Sequence, residues 1–140
     1  MGELARFLEA QDRDGTFAQA MSELREGTKR GHWMWFVFPQ LAGLGQSEMS
    51  RRYAIASLEE AREYLADAVL GWRLREAAAA LLEHAARSAE QILGRLDAIK
   101  LRSSMTLFAA ADPEELVLAR VLAEFYDGEP DEATQRLLGG

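Results

Sequence analysis

The chain has 140 residues, 23 acidic against 16 basic side chains, a formal net charge of -7 and no cysteine. Its length suits one domain with one core, and the missing thiols exclude disulfide frameworks, thiol catalysis and cysteine-ligated zinc. The acidic balance opposes nucleic-acid binding by bulk attraction to phosphate, and the sequence has no run of the ~20 apolar residues that a membrane span needs. Two histidines, His32 and His84, leave little for a metal site. The expectation is a cytoplasmic protein with no metal, no cofactor and neither a membrane nor a nucleic acid as partner.

Alanine, leucine, glutamate and arginine dominate and proline is scarce, which favours helix nearly everywhere. Leu4, Phe7, Leu8 and Gln11 recur at i, i+3, i+4, i+7, as do Phe17, Ala20, Met21 and Leu24. With the turn residues Asp14 and Gly15 between them, these stripes predict an antiparallel helix pair. Gly27 and Gly31 then bracket Lys29 and Arg30, after which an aromatic run over 32–38 stops at Pro39. As a helix this run is apolar all round and therefore buried; as a short buried non-helical segment its side chains alternate between two faces. The helical neighbours favour the first.

Beyond a glycine-rich loop, Ser47 is placed to cap a helix carrying Met49, Tyr53 and Ala56, and Ser57 with Glu60 has capping-box spacing for one carrying Ala61, Tyr64 and Leu65. Leu74, Ala77, Ala78, Leu81 and Ala85 predict an amphipathic helix over 70–87. Ser88 with Gln91 signals another start and Gly94 a stop. Asp97 is placed to cap a helix over 98–110, and Asp112-Pro113-Glu114-Glu115 reads as the start of one carrying Leu118, Val121, Leu122 and Phe125, ended by Gly128. A last short helix falls within 131–138. The expected fold is all-α, a single compact domain of about seven or eight helices.

Several strings lie in one order across nearly the whole chain: AQ at Ala10 and Gln11, HWMWFVFPQLAGLGQS over 32–47, YAI from Tyr53, EAREYL from Glu60, LGWRL from Leu70 and KLRSSMTLF from Lys100. Taken together they resemble the domain of unknown function family 1810. The resemblance implies a small bacterial helical domain and brings no defined activity or substrate. Asp67 and Ala68 stand where that family usually shows histidine and proline, and Phe17 where it shows tyrosine. A looser similarity is to the helical NADAR family, which binds or hydrolyses ADP-ribose derivatives, but no motif of it maps residue by residue.

Each residue with chemical potential also has a structural explanation. Trp33 and Trp35 serve as core anchors, since each buried ring withdraws roughly 150–250 Å² from water, or as a wall on which a base stacks. His32, between a basic stretch and the rings, suits acid–base work. Gly43, Gly45 and Ser47 precede a helix start, where backbone amides can hold phosphate with Lys29, Arg51 and Arg52 adding charge; a plain tight turn explains the glycines as well. This loop lacks the lysine of a Walker motif.

In KLRSSMTLF, the stripe of Leu101, Ser104, Met105 and Phe108 carries the Ser104 hydroxyl into the core, where a carbonyl one turn back satisfies it or a polar cleft receives it. Lys100 lies one turn before Ser104, the relation that a serine nucleophile and a lysine base require. Gln11 is a polar residue on an apolar stripe in the same way, and Ser103 and Thr106 add hydroxyls.

Donors set beside rings suit an anionic, partly aromatic ligand. The leading reading is a small-molecule enzyme or binding domain for a nucleotide-like or phosphorylated ligand, ADP-ribose derivatives among the candidates. In it His32, Lys100 and Ser104 carry chemistry, while Lys29, Trp33, Trp35, Gln40, Gly43, Gly45, Ser47, Ser103 and Thr106 bind. The alternative is a non-catalytic protein–protein interaction domain that docks through exposed tryptophans. The oligomeric state stays open.

Overall fold

Glycine, proline and capping residues cut the chain into ten α-helices within residues 2–139, the part described by the computed structural model. Helices α1 (Gly2–Asp12) and α2 (Thr16–Glu26) form the expected pair, joined by a 3₁₀ turn, Arg13–Gly15, in which Asp14 and Gly15 take left-handed backbone angles. Gly27 ends α2 at φ +81°, and a Cβ there would stand 2.6 Å from an Arg87 guanidinium nitrogen. Gly27→Ala is therefore expected to lower stability by about 1–2 kcal/mol, read as the shift of a urea unfolding midpoint; an unchanged midpoint would show that α2 can end differently.

The aromatic run forms one helical turn, α3 (Met34–Val37), flanked by non-helical Trp33 and Phe38. Pro39 explains its brevity, because the residue before a proline avoids helical angles. Trp33, Met34, Phe36, Val37 and Phe38 are all buried. A single parallel bridge, Leu41 with Ile55, follows, held by Ala42 N donating to Ile55 O (2.8 Å) and Ile55 N to Gln40 O (2.8 Å). The remaining helices are α4 (Glu48–Arg52), α5 (Leu58–Ala66), α6 (Leu70–Leu82), α7 (Ala89–Leu93), α8 (Arg95–Ala111), α9 (Leu116–Tyr126) and α10 (Glu132–Leu137). The helix count exceeds the expected seven or eight because α3, α4, α7 and α10 are short pieces with their own starts and stops.

Local capping chemistry sets several of these boundaries. Ser47 and Ser57 accept hydrogen bonds from Ser50 N and Glu60 N, and Ser88 and Gln91 form a reciprocal capping box. Glu60, in contrast, turns its carboxylate to Ala56 N (2.8 Å) rather than to the Ser57 amide. Asp67 Oδ1 accepts from Val69 N (3.0 Å) and Leu70 N (2.9 Å), so its side chain shapes the start of α6.

Four boundaries differ from the sequence expectation. Helix α4 stops before Tyr53, and α6 stops at Leu82, after which hydrogen-bonded turns carry the chain round to Arg87. Gly94, at φ +92°, both ends α7 and starts α8, so Asp97 falls in the first turn of α8 instead of capping it. Helix α9 starts at Leu116, because α8 runs to Ala111 and 112–115 are used for the reversal, with Asp112 Oδ1 accepting from Glu114 N (3.1 Å).

Helix α8 is the spine, packed against α5, α7, α9 and α10. Leu101, Ser104, Met105 and Phe108 are each fully buried, as the stripe predicts. Tyr64 meets Phe7 edge-on (5.2 Å) and packs against Phe108 (5.2 Å), which joins α1, α5 and α8 in one core. Gln11, misplaced on its apolar stripe, is satisfied there: its Nε2 donates to Phe36 O (2.7 Å) and Tyr64 Oη (3.1 Å), and its Oε1 accepts from Arg73 (3.1 Å). Burial drives the Tyr64 hydroxyl pKa upward, against the opposing Gln11 hydrogen bond.

Candidate functional site

Because Gly31 and Pro39 confine the aromatic run to one turn, its two tryptophans face different surroundings. Trp33 is buried, and its Nε1 donates to Glu23 Oε1 (2.9 Å). The same carboxylate oxygen accepts from Arg30 N (2.8 Å) and Gly31 N (2.9 Å), while Oε2 accepts from Gln19 Nε2 (3.0 Å). Burial alone raises the Glu23 pKa, but these donors outweigh it and hold the group at about 2. Glu23 thus stays charged and fixes the entry into the aromatic turn.

Trp35 is half-buried and stands between two clefts. The first, about 180 Å³, is lined by Trp35, Gln40, Gly43, Gly45, Arg51 and Tyr53 among others. The second, about 460 Å³, brings together Lys29, His32, Trp35, Arg95, Asp97 and Lys100. A third, about 300 Å³, shares His32 with the second and Tyr53 with the first and adds Arg13 and Arg52. All three lie against residues of the aromatic run.

Geometry within the second cleft is specific. Lys29 Nζ lies 2.8 Å from Asp97 Oδ2, and Lys100 Nζ lies 3.1 Å from Asp97 Oδ1. Lys29 also donates to Gly31 O. Each lysine stands over a tryptophan, Lys29 5.2 Å from a Trp33 ring centre and Lys100 5.1 Å from that of Trp35. Among the described residues the His32 ring has no hydrogen-bond partner, whereas His84 Nε2 donates to Arg25 O (2.9 Å) and serves the packing of α2. Trp35 Nε1 is buried and without an acceptor.

Sequence-proposed residues are thus distributed unevenly. Lys29, His32, Trp35 and Lys100 share one cleft, and Gln40, Gly43 and Gly45 line its neighbour. Gly43 needs its positive φ of +99°, and a Cβ on Gly45 would meet the Ser50 side chain at 2.4–2.7 Å, so turn geometry and wall-forming coincide there. The Ser47 hydroxyl is taken up by capping α4.

Trp33 contributes to a wall of the third cleft. Ser103 and Thr106 donate to the carbonyls of Ile99 and Arg102 one turn back, and Thr106 also accepts from Asp131 N (2.8 Å), so both hydroxyls serve α8 and its junction with α10. Ser104 is fully buried without a hydrogen-bond partner and lines none of the three clefts.

Asp97, Arg95 and Arg13 join the site without any signal in the sequence. Asp97 reads locally as a helix cap, and only the packing of Lys29 against the start of α8 reveals its role.

Fold and site together define a small all-helical domain in which cation-lined clefts lie around a single aromatic turn. The chain belongs to the DUF1810 family, described as proteins of unknown function, whose model matches residues 1–138. It is similar to Rv1873, a conserved hypothetical protein from Mycobacterium tuberculosis with a known crystal structure, at 47% identity and a TM-score of 0.94, covering 99% of this chain and 97% of that one. No curated protein matches.

Proposed function

We propose that these clefts bind an anionic small molecule, nucleotide-like or phosphorylated, with its ring against Trp35 and its phosphate among the lysines. One observation carries this reading: the three clefts are lined by six cations, Arg13, Lys29, Arg51, Arg52, Arg95 and Lys100, and by a single carboxylate, Asp97. In a chain where acidic residues outnumber basic ones 23 to 16, that local reversal favours an anion and focuses its approach. His32, with no protein partner among the described residues and on two of the three walls, is the group available to move a proton. Docking of a protein through the aromatic run has less support, since Trp33 is buried and Trp35 faces a concavity; the exposed tryptophan is Trp72.

Thermal-shift measurements against nucleotides, ADP-ribose and sugar phosphates test the reading. A ligand at 100 times its dissociation constant adds about 2.7 kcal/mol of stability, and the shift should shrink as salt rises. No stabilisation by any of these compounds at low salt would remove the reading.

A further inference from the structure

We infer that the cleft of Lys29, Asp97 and Lys100 is a subsite for a terminal phosphomonoester, whose dianion it prefers to singly charged anions, and that Asp97 holds the two lysines in place for it. The inference rests on the anionic-ligand reading and narrows it to one chemical group.

Counting donors leads to the group. An ammonium has three N–H donors. Lys29 commits one to Gly31 O and one to Asp97, leaving one; Lys100 commits one to Asp97, leaving two. Three lysine donors therefore remain beside the cleft, matching the three terminal oxygens of a phosphomonoester, and neither lysine needs to leave Asp97. His32 lines the same cleft.

Counting charge agrees. Lys29, Arg95 and Lys100 face one carboxylate, so two positive charges remain uncompensated. The Lys29 and Asp97 side chains are only 9% and 18% exposed, which limits screening by solvent. A doubly charged group neutralises the cleft. A singly charged diester or carboxylate gains half as much from that net charge, so the cleft favours the dianion, and Asp97 serves as a clamp on the two lysines.

Calorimetric titration at about pH 8, where AMP and inorganic phosphate are both dianions, tests this with two matched pairs: AMP with cyclic AMP, and inorganic phosphate with dimethyl phosphate. Each monoester-type dianion should bind about tenfold or more tighter than its diester, roughly the effect of one charge-assisted hydrogen bond. In Asp97→Asn, verified as folded by circular dichroism, loss of the clamp on Lys29 and Lys100 should weaken both dianions even though the local positive charge rises. Lys100→Gln should weaken both dianions.

Equal binding of AMP and cyclic AMP by the unaltered protein overturns the inference and leaves the anionic-ligand reading intact. If only the ring-free pair binds, with the expected ratio, the phosphate subsite stands and the nucleotide-like reading falls. Tighter binding of the dianions in Asp97→Asn would show that Asp97 only repels them and overturns its clamping role. If no probe binds, both fall.

Discussion

Glu23→Ala is expected to destabilise the protein by about 3 kcal/mol at neutral pH, because hydrogen bonds to a buried charge are worth roughly 1.5–3 kcal/mol each and their donors cannot all find new partners. Left without an acceptor are the backbone amides of Arg30 and Gly31 and the buried Trp33 indole. The loss should depend on pH. The Glu23 pKa falls from an ordinary 4.5 to about 2 on folding, so its electrostatic contribution is complete above about 4.5 and disappears as pH drops towards 2. Urea unfolding of the parent and of Glu23→Gln across that window should show the stability gap closing with acidification. A gap that stays constant would mean that packing, not the charge, is what Glu23 supplies.

The two tryptophans should separate cleanly under substitution. Trp33→Ala removes a fully buried ring and the indole donor to Glu23, and is expected to cost about 4 kcal/mol, a large fraction of the roughly 5–15 kcal/mol that holds a domain folded. Trp35→Leu alters a partly buried ring whose Nε1 has no acceptor to lose and keeps an apolar side chain at the site, so its stability cost should be well below that of Trp33→Ala. That change should abolish the thermal shift produced by AMP or ADP-ribose, because the wall shared by two clefts is gone. Denaturation and thermal-shift data on the two variants decide the matter. A Trp35→Leu protein that still binds would confine the ligand to one cleft and remove the stacking role.

The contrast between these rings illustrates what a linear reading can reach. Trp33 and Trp35 sit two residues apart in a run that is apolar throughout, and nothing local tells which ring meets solvent. The answer comes from Glu23 on α2, which captures Trp33, and from α8, which sets Lys100 over Trp35. The hydroxyls of KLRSSMTLF show the same limit in reverse. Ser103 and Thr106 take the carbonyl one turn back, while Ser104, for which that bond was the simplest account, has no partner at all.

By itself the sequence determined that the protein is all-α, where most helices begin, that Ser104 is in the core, and that the chain belongs with the DUF1810 family. Helical periodicity and capping are local properties, written within a few residues of where they act. Short-range signals failed where two of them competed, as at Gly94 with Asp97 and at Ala111 with Asp112, since a boundary claimed by one helix is unavailable to its neighbour. Only the tertiary structure decided that Lys29, Asp97 and Lys100 meet, and that six cations collect around one aromatic turn of an acidic chain. Such convergence depends on how α2, α3 and α8 pack, and packing is set by the whole core rather than by any segment of it.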